Sequence, residues 1–146
     1  MSNEENNPPL ASELRMVLTR LIKKLRTKSS ASGNLSLTER STIALLDQHK
    51  ELLPSELAAM EKITTQSMSQ ILNHLLELGY ITRRNSETDK RKAIISLSKT
   101  GRDILYKARN ERDEWLNRAI GETCSTKEQE TLGRAIMLLT RLVDFD

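Results

Sequence analysis

A chain of 146 residues is long enough to bury the hydrophobic core of one domain without covalent staples. Charged residues make up 29% of the chain and aromatic residues 3%, a composition that favours a helix-rich fold. The single cysteine excludes an intrachain disulfide, and neither a signal-peptide pattern nor an apolar run of the ~18–20 residues of a membrane span is present, so we expect a cytoplasmic protein.

The first third of the chain predicts two helices. Residues 1–7 are polar and are expected to be disordered. Apolar residues recur at spacings of three and four over residues 10–25, which predicts a first helix with a basic C-terminal end. The sequence Ser-Leu-Thr-Glu at 36–39 has the form of a capping box, and it predicts a second helix that ends near His49.

Two further helices are predicted before the first strand. Pro54 suits the first turn of a short third helix. Its expected buried residues are Leu57, Ala58 and Met60. Thr64 or Thr65 caps a fourth helix that runs to about Leu78, and Gly79 ends it. The expected inner face of this helix consists of Met68, Ile71, Leu72, Leu75 and Leu76.

A β-hairpin is predicted next, with strands at 81–84 and 93–97 and a polar segment at 85–92 between them. Ser98 then caps a long fifth helix, which Gly121 is expected to terminate near residue 120. A second capping box at 125–128 opens the last helix. The predicted order is α-α-α-α-β-β-α-α, a mainly helical fold with one small hairpin.

The third and fourth helices are separated by only a few residues, which is typical of a helix-turn-helix. Short hydrogen-bonding side chains occupy the predicted outer face of the fourth helix: Thr65, Gln66, Ser67, Ser69, Gln70, Asn73 and His74. Such side chains can reach base edges in a major groove, where Gln and Asn pair well with adenine. Taken alone, the pattern fits an ordinary amphipathic helix equally well.

The hairpin carries a cluster of cations directly after this helix. Its basic residues are Arg83, Arg84, Lys90, Arg91 and Lys92, against the acids Glu87 and Asp89. Arg and Lys at this place can contact phosphates or a minor groove. A lone basic hairpin could equally be a solvated turn. The recognition-type helix and the basic hairpin together favour a winged helix-turn-helix that binds DNA.

With these elements the sequence resembles the MarR family of winged helix-turn-helix transcriptional regulators. The family's wing pattern is Asp, any residue, Arg, five residues, Leu-Thr, two residues and Gly. Here it reads Asp89-Lys90-Arg91, then residues 92–96, then Leu97-Ser98-Lys99-Thr100-Gly101, with Ser in place of Thr. The upstream part of the pattern is Leu57-Ala58, Thr64, Met68-Ser69, Leu72, Leu75 and Gly79-Tyr80-Ile81.

The resemblance implies a single domain over residues 1–146 with a winged helix-turn-helix core at about 36–98. Helices at about 10–28 and 99–145 would then form a homodimer interface. In such a wing Arg91 enters or borders the minor groove, and Asp89 holds that Arg or supports the wing. The other cations, Arg83, Arg84, Lys90 and Lys92, would add phosphate contacts. One departure is Lys62, where many members have Gly, so we expect either an uncommon backbone conformation there or a slightly different turn.

A twofold dimer predicts a pseudo-palindromic operator with half-sites ~10 bp apart. Long apolar stripes on the first and last helices favour dimerisation independently, the alternative being a monomer that folds them back on itself. The resemblance implies a repressor relieved by a small-molecule effector bound between the dimerisation helices and the winged region. Trp115 and Tyr106 are more typical of packing residues than of such a pocket.

Other classes of function are less well supported by the sequence. It shows no phosphate-binding loop, metal-ligand spacing or nucleophile–base arrangement, so we expect no enzyme, cofactor or metal site. His49 and His74 are too few for a metal sensor, and Cys124 lies in a predicted loop where a redox role is not indicated. The remaining alternative is a winged-helix module that binds protein and has lost its DNA contacts.

Overall fold

The computed structural model describes residues 9–31 and 33–146, so the disorder predicted for residues 1–7 lies outside the described residues. The described chain forms two compact units. One consists of residues 9–28 and Glu111–Asp146, and the other is Ser29–Asn110. The assignment of residues 1–146 to a single domain stays a prediction.

Six helices and three strands make up the described chain, and the predicted fold class is confirmed. In chain order they are α1 Leu10–Arg26, α2 Leu37–His49, β1 Glu51–Leu52, α3 Pro54–Glu61, α4 Thr65–Glu77, β2 Ile81–Asn85, β3 Ala93–Leu97, α5 Lys99–Thr123 and α6 Thr126–Val143. The winged unit, which we define as residues 29–110, holds α2 to β3 and the start of α5. The other unit holds α1, the end of α5, and α6.

The sheet of the winged unit has one more strand than the sequence predicted. Its order is β1-β3-β2, and both pairings are antiparallel. Strand β1 pairs Glu51 with Ser96 and Leu52 with Ile95. With two residues it is too short to show the alternation of polar and apolar residues that identifies a strand, which is why the predicted element order omits it.

The core of the winged unit is formed by apolar residues from its helices and from all three strands. The most deeply buried large residues are Ile43, Leu46, Leu57, Met68, Leu75 and Ile95. Met60 was predicted to be buried and is exposed. Two residues correspond to about 200° of helical rotation, so Met60 lies on the side of α3 opposite Ala58.

The corner where α4, β2 and α5 meet explains why Ser98 and Gly101 stand in the wing pattern. Ser98 Oγ accepts the N–H of Gly101 at 3.0 Å and donates to the carbonyl of Gly79 at 2.5 Å. The N–H of Ser98 donates to Tyr80 O at 3.1 Å. A Cβ at position 101 would lie 2.0 Å from the same oxygen, so only glycine fits. Gly79 ends α4 with φ 76°, as predicted.

One helix boundary and one helix cap differ from the prediction. Helix α5 continues through Gly121 to Thr123, because a glycine without a required positive φ weakens a helix but does not stop it. The capping box at 36–39 forms only in half. Ser36 Oγ accepts the Glu39 N–H at 3.1 Å, but the Glu39 carboxylate binds His74 instead of closing the box.

The predicted capping box of α6 is complete. Ser125 Oγ accepts the Glu128 N–H at 3.2 Å, and Glu128 Oε1 accepts the Ser125 N–H at 2.9 Å. The backbone N–H of Ser125, with help from its hydroxyl, stabilises the carboxylate and holds the pKa of Glu128 below its ordinary value.

The unit formed by α1, the end of α5, and α6 buries little of its apolar surface. Neither α1 nor α6 contains a buried residue. Lys24 and Lys28 lie over the indole of Trp115, with Nζ 5.5 and 5.3 Å from the ring centroid.

Among the described residues, every helix is too short or too polar to cross a membrane.

Candidate nucleic-acid interface

The turn between α3 and α4 places the two helices as a helix-turn-helix. Lys62 adopts the left-handed conformation, with φ 56° and ψ 43°, which confirms the predicted departure at this position. The turn is closed by the Ile63 N–H, which donates to Ala58 O at 3.0 Å. Thr64 then caps α4, its hydroxyl oxygen accepting the Ser67 N–H at 3.1 Å.

Helix α4 divides into an inner and an outer face. Met68, Leu72 and Leu75 are buried, and Ile71 and Leu76 pack against the same core. All the side chains predicted to read DNA lie exposed on the rest of the helix: Thr65, Gln66, Ser67, Ser69, Gln70, Asn73 and His74. We call this set the recognition face.

Hydrogen bonding distinguishes the amides of the recognition face from its two serines. Ser69 donates to Thr65 O at 2.9 Å, and Ser67 bonds the capping hydroxyl of Thr64 at 2.9 Å. Within the described chain, the side-chain amides of Gln66, Gln70 and Asn73 have no hydrogen-bond partner. Each amide therefore offers both a donor and an acceptor to an incoming group.

The wing, residues 81–97, is a regular hairpin with a hydrogen-bonded tip. Register pairs Ile81 with Leu97 and Asn85 with Ala93. Beyond the ladder, the Ser86 N–H donates to Lys92 O at 2.8 Å, and the Lys92 N–H donates to Asp89 O at 2.9 Å. These bonds give residues 86–92 a defined path although they contain no apolar anchor.

Asp89 and Arg91 are joined at the tip of the wing. Asp89 Oδ1 accepts the backbone N–H of Arg91 at 3.1 Å and lies 3.9 Å from Arg91 Nε. The Arg91 side chain is 96% exposed, whereas that of Asp89 is 42% exposed. The carboxylate thus fixes the backbone at Arg91 and leaves most of the guanidinium open to solvent.

The other cations of the wing differ in their surroundings. Arg83, Lys90 and Lys92 are exposed and have no ionic partner in the part of the chain that the structure describes. Arg84 is also exposed, but its Nη2 lies 3.0 Å from each carboxylate oxygen of Glu51. This pair neutralises one of the predicted phosphate contacts.

Sequence reasoning missed Glu51 and Glu39 as partners of the interface. Glu51 binds Arg84, and Glu39 Oε2 lies 2.9 Å from Nδ1 of His74 on the recognition face. Both pairs join residues more than thirty positions apart, and no local pattern signals such a contact. The Ser-Leu-Thr-Glu motif instead indicated a purely local role for Glu39.

The winged unit also contains a cleft of about 420 Å³ beside the sheet. Its lining residues are Leu46, Asp47, Lys50, Glu51, Ser96, Leu97, Arg102 and Tyr106. Asp47 is bonded by the Tyr106 hydroxyl at 3.0 Å and by Arg109 at 3.2 Å. The described residues contain no group of His, Cys, Asp and Glu side chains able to hold a metal ion.

The charged side chains of this cleft that have no ion-pair partner among the described residues are cationic. Both of its acids are engaged, Asp47 as above and Glu51 by Arg84, whereas Lys50 and Arg102 have no ionic partner among the described residues. Lys50 has φ 66° and ψ −58°, a sparsely populated backbone conformation for a non-glycine residue. The cleft therefore suits a small organic anion better than a cation.

Comparison with known proteins gives consistent results. The family model described as the MarR family matches residues 34–92. A Pseudomonas aeruginosa crystal structure, described as a transcriptional regulator protein, is 32% identical with a TM-score of 0.83, over 94% of this chain and 96% of that one. An HTH-type transcriptional regulator of Mycobacterium bovis is 29% identical over 96% of both chains.

One structural neighbour was solved on DNA. FabT of Streptococcus pneumoniae, in complex with DNA, is 22% identical and superimposes with a TM-score of 0.68 over 92% of this chain and 97% of its own. At that level of identity the likeness shows a shared fold.

Proposed function

This chain belongs to the MarR family of transcriptional regulators, and from that premise we propose that it binds double-stranded DNA sequence-specifically as a homodimer. We propose further that it acts as a repressor which a small molecule releases. The observation that carries the proposal is the recognition face, where the amides of Gln66, Gln70 and Asn73 are exposed and have no partner among the residues that the structure describes.

An exposed amide whose hydrogen bonds are made to water alone can exchange them for a base edge at little cost. Gln or Asn can bond adenine N6 and N7 together, and such a bidentate pair discriminates against other bases by ~1–3 kcal/mol. A solvated helix with no ligand would explain the exposed amides but not the basic hairpin that follows them. Here α4 leads through Gly79 directly into the wing within one compact unit.

The wing supplies contacts to the DNA backbone in this proposal. Arg83, Lys90, Arg91 and Lys92 are exposed cations, and neutralising a phosphate with each of them would release bound counterions. The exposed guanidinium of Arg91 would enter or border the minor groove while Asp89 fixes its backbone. FabT, which shares the fold, has been seen with DNA bound, and this supports the same use of the fold here.

The homodimer is proposed from the apolar surface of α1 and α6. Large side chains on these helices and just beyond α6 are strongly exposed: Leu10, Met16, Val17, Ile22, Ile136, Met137, Leu138, Leu142, Val143 and Phe145. Helices of 17 and 18 residues without one buried side chain gain little stability from packing while their apolar faces stay uncovered in water. A second copy presents an identical apolar surface and so covers both helices symmetrically.

Release by a small molecule is proposed from the cleft beside the sheet. A small organic anion there would meet Lys50 and Arg102 and would lie next to Glu51. Because Ser96 and Leu97 of the wing line this cleft, an anion bound there would add negative charge beside the wing and weaken its attraction for phosphates. Repression follows if the operator overlaps a promoter, since bound protein then blocks polymerase.

A protein-binding winged helix is the rival function, and binding to a DNA library separates the two. Purified full-length protein would be incubated with randomised duplexes, and bound DNA would be sequenced after several rounds at low and moderate salt. The proposal predicts enrichment of a pseudo-palindrome with half-sites one helical turn apart. Failure to enrich any sequence at either salt concentration would reject it and favour the protein-binding module.

A further inference from the structure

A glutamate stands at the third position of α2, α3 and α6, but the three carboxylates are used differently. In α3 the Glu56 carboxylate accepts the Leu53 N–H at 3.0 Å, and in α6 Glu128 accepts the Ser125 N–H at 2.9 Å. Both close the local helix cap. In α2 the Glu39 carboxylate instead lies 2.9 Å from Nδ1 of His74.

This contact joins α2 to the recognition face. The Glu39 side chain is 13% exposed and that of His74 is 45% exposed, so the glutamate is the more shielded member of the pair. A carboxylate in such a place needs a strong partner, because burying an unpaired charge is costly. The described residues offer His74 as that partner, and the imidazole is held by it.

His74 occupies a flank of α4 that it shares with the base-reading candidates. It follows Gln70 by four residues and Ser67 by seven, so the three side chains lie above one another along the helix. Nδ1 faces Glu39, and Nε2 has no hydrogen-bond partner among the described residues. The ring thus has one nitrogen bonded within the protein and one left for another molecule.

We propose that Glu39 is a positioning residue that sets the sequence preference of this protein through His74 without touching DNA. This inference rests on the DNA binding proposed above. By fixing the ring plane and the protonated nitrogen of His74, Glu39 determines which hydrogen-bonding group the recognition face presents at that point.

The chemistry of the pair defines that group. An ionised carboxylate can only accept a hydrogen bond, so Nδ1 must carry a proton. In the neutral ring Nε2 is then an acceptor. In the major groove it would bond the exocyclic amino group of adenine or cytosine and would be left unpaired opposite guanine or thymine. Without Glu39 the neutral ring can exchange its two tautomers and rotate, and the discrimination is lost.

The tautomer can be observed directly in the free full-length protein. Nitrogen-15 NMR of the imidazole should show a protonated Nδ1 and an unprotonated Nε2 for His74 when the ring is neutral. Glu39→Gln replaces the carboxylate by an amide that can donate or accept, so both tautomers should appear. An Nε2-protonated ring in the wild-type protein would overturn the proposal.

Sequence preference is the second readout. The library selection would be repeated with Glu39→Gln, His74→Ala and the double variant, with Glu56→Gln as the control that changes a cap glutamate of the same unit. We expect Glu39→Gln and His74→Ala to lose about fivefold preference at the same base pair, the effect of one hydrogen bond. The double variant should lose no more than His74→Ala alone, and Glu56→Gln should keep the wild-type preference.

The outcomes separate this inference from the proposed function. If the wild-type protein enriches no sequence, both fail. If it enriches an operator and Glu39→Gln keeps the same preference, only this inference fails, even where affinity falls uniformly, since that result marks the pair as a structural tie between α2 and α4. Losses that add in the double variant would also overturn it.

Discussion

Arg84 reaches across the middle strand of the sheet to Glu51, its Nη2 lying 3.0 Å from both carboxylate oxygens. Glu51 pairs with Ser96 and Arg84 with Ile94, two residues apart on one face of β3. The short strand β1 therefore neutralises one of the five cations of the wing. Both side chains are about half exposed, so the pair adds little to stability and matters mainly for electrostatics.

Replacing Glu51 by Gln is expected to tighten DNA binding. The change frees the Arg84 guanidinium to neutralise a phosphate, which should steepen the slope of log K against log[salt] by ~0.9. Titrations at several salt concentrations measure this slope. In the otherwise wild-type protein, Arg84→Ala should weaken binding less than Arg83→Ala does, and equal losses from the two neighbouring arginines would contradict the role given to Glu51.

Arg91→Ala is expected to weaken binding to all sequences and to lower the salt slope by ~1, because one phosphate-directed cation is lost. Asp89→Ala should cause a smaller loss, since the Arg91 charge remains but its backbone is no longer held. Lys107→Ala removes an exposed cation from α5 and serves as the control for net charge. An unchanged slope for Arg91→Ala would mean that the wing does not contact DNA.

Changes on the recognition face should alter preference more than overall affinity. Gln66→Ala and Gln70→Ala each remove an amide that is free in the described structure, so discrimination at one base pair should fall by ~1–3 kcal/mol. Binding to non-specific DNA and the salt slope should stay close to wild type. Competition assays with single-base variants of the operator provide the measurement. If the sequence preference survived both changes, the bases would have to be read by other residues.

The corner at Gly101 provides a test of the fold. Gly101→Ala places a Cβ 2.0 Å from Tyr80 O, which is backbone and cannot move aside, so we expect a loss of more than ~2 kcal/mol in unfolding free energy. Gly121→Ala in the same helix meets nothing within 4 Å and should stabilise the chain by ~0.5–1 kcal/mol. Thermal and urea unfolding distinguish these opposite signs.

The proposed dimer is expected to break when a charge is placed at one apolar residue. Ile136 on α6 is 62% exposed, and Ile136→Glu would place a charge within the proposed interface. Light scattering after gel filtration should then report a monomer or a much weakened dimer. Leu37→Glu introduces the same charge at an exposed leucine of the winged unit and should leave the dimer intact. Two variants with the same mass as the wild-type protein would place the interface elsewhere.

Sequence patterns predicted the fold wherever the determinants were local. The three-and-four spacing found α1 and α4, and the Ser125–Glu128 box found the start of α6, because each depends on neighbours within two helical turns. Strand β1 was missed because its two residues are defined by pairing with β3, more than forty positions away. Gly121 was misjudged because its effect depends on backbone conformation and not on residue type.

The sequence predicted which residues make up the candidate site but not which residues they pair with. The recognition face and the exposed cations of the wing lie where periodicity and turn chemistry placed them. Partners such as Glu51 and Glu39 depend on how β1 and α2 pack against distant elements, and no spacing along the chain reveals that. These partners decide which predicted contact is free and which is held.

The central claim is that the recognition face and the wing together bind DNA sequence-specifically. The most direct test is a titration of the wild-type protein against the selected operator and a scrambled duplex of equal length, between ~50 and 200 mM salt. We predict that the operator binds at least ~10³-fold more tightly and that both affinities fall steeply as salt rises. Equal affinity for the two duplexes, or binding indifferent to salt, would contradict it.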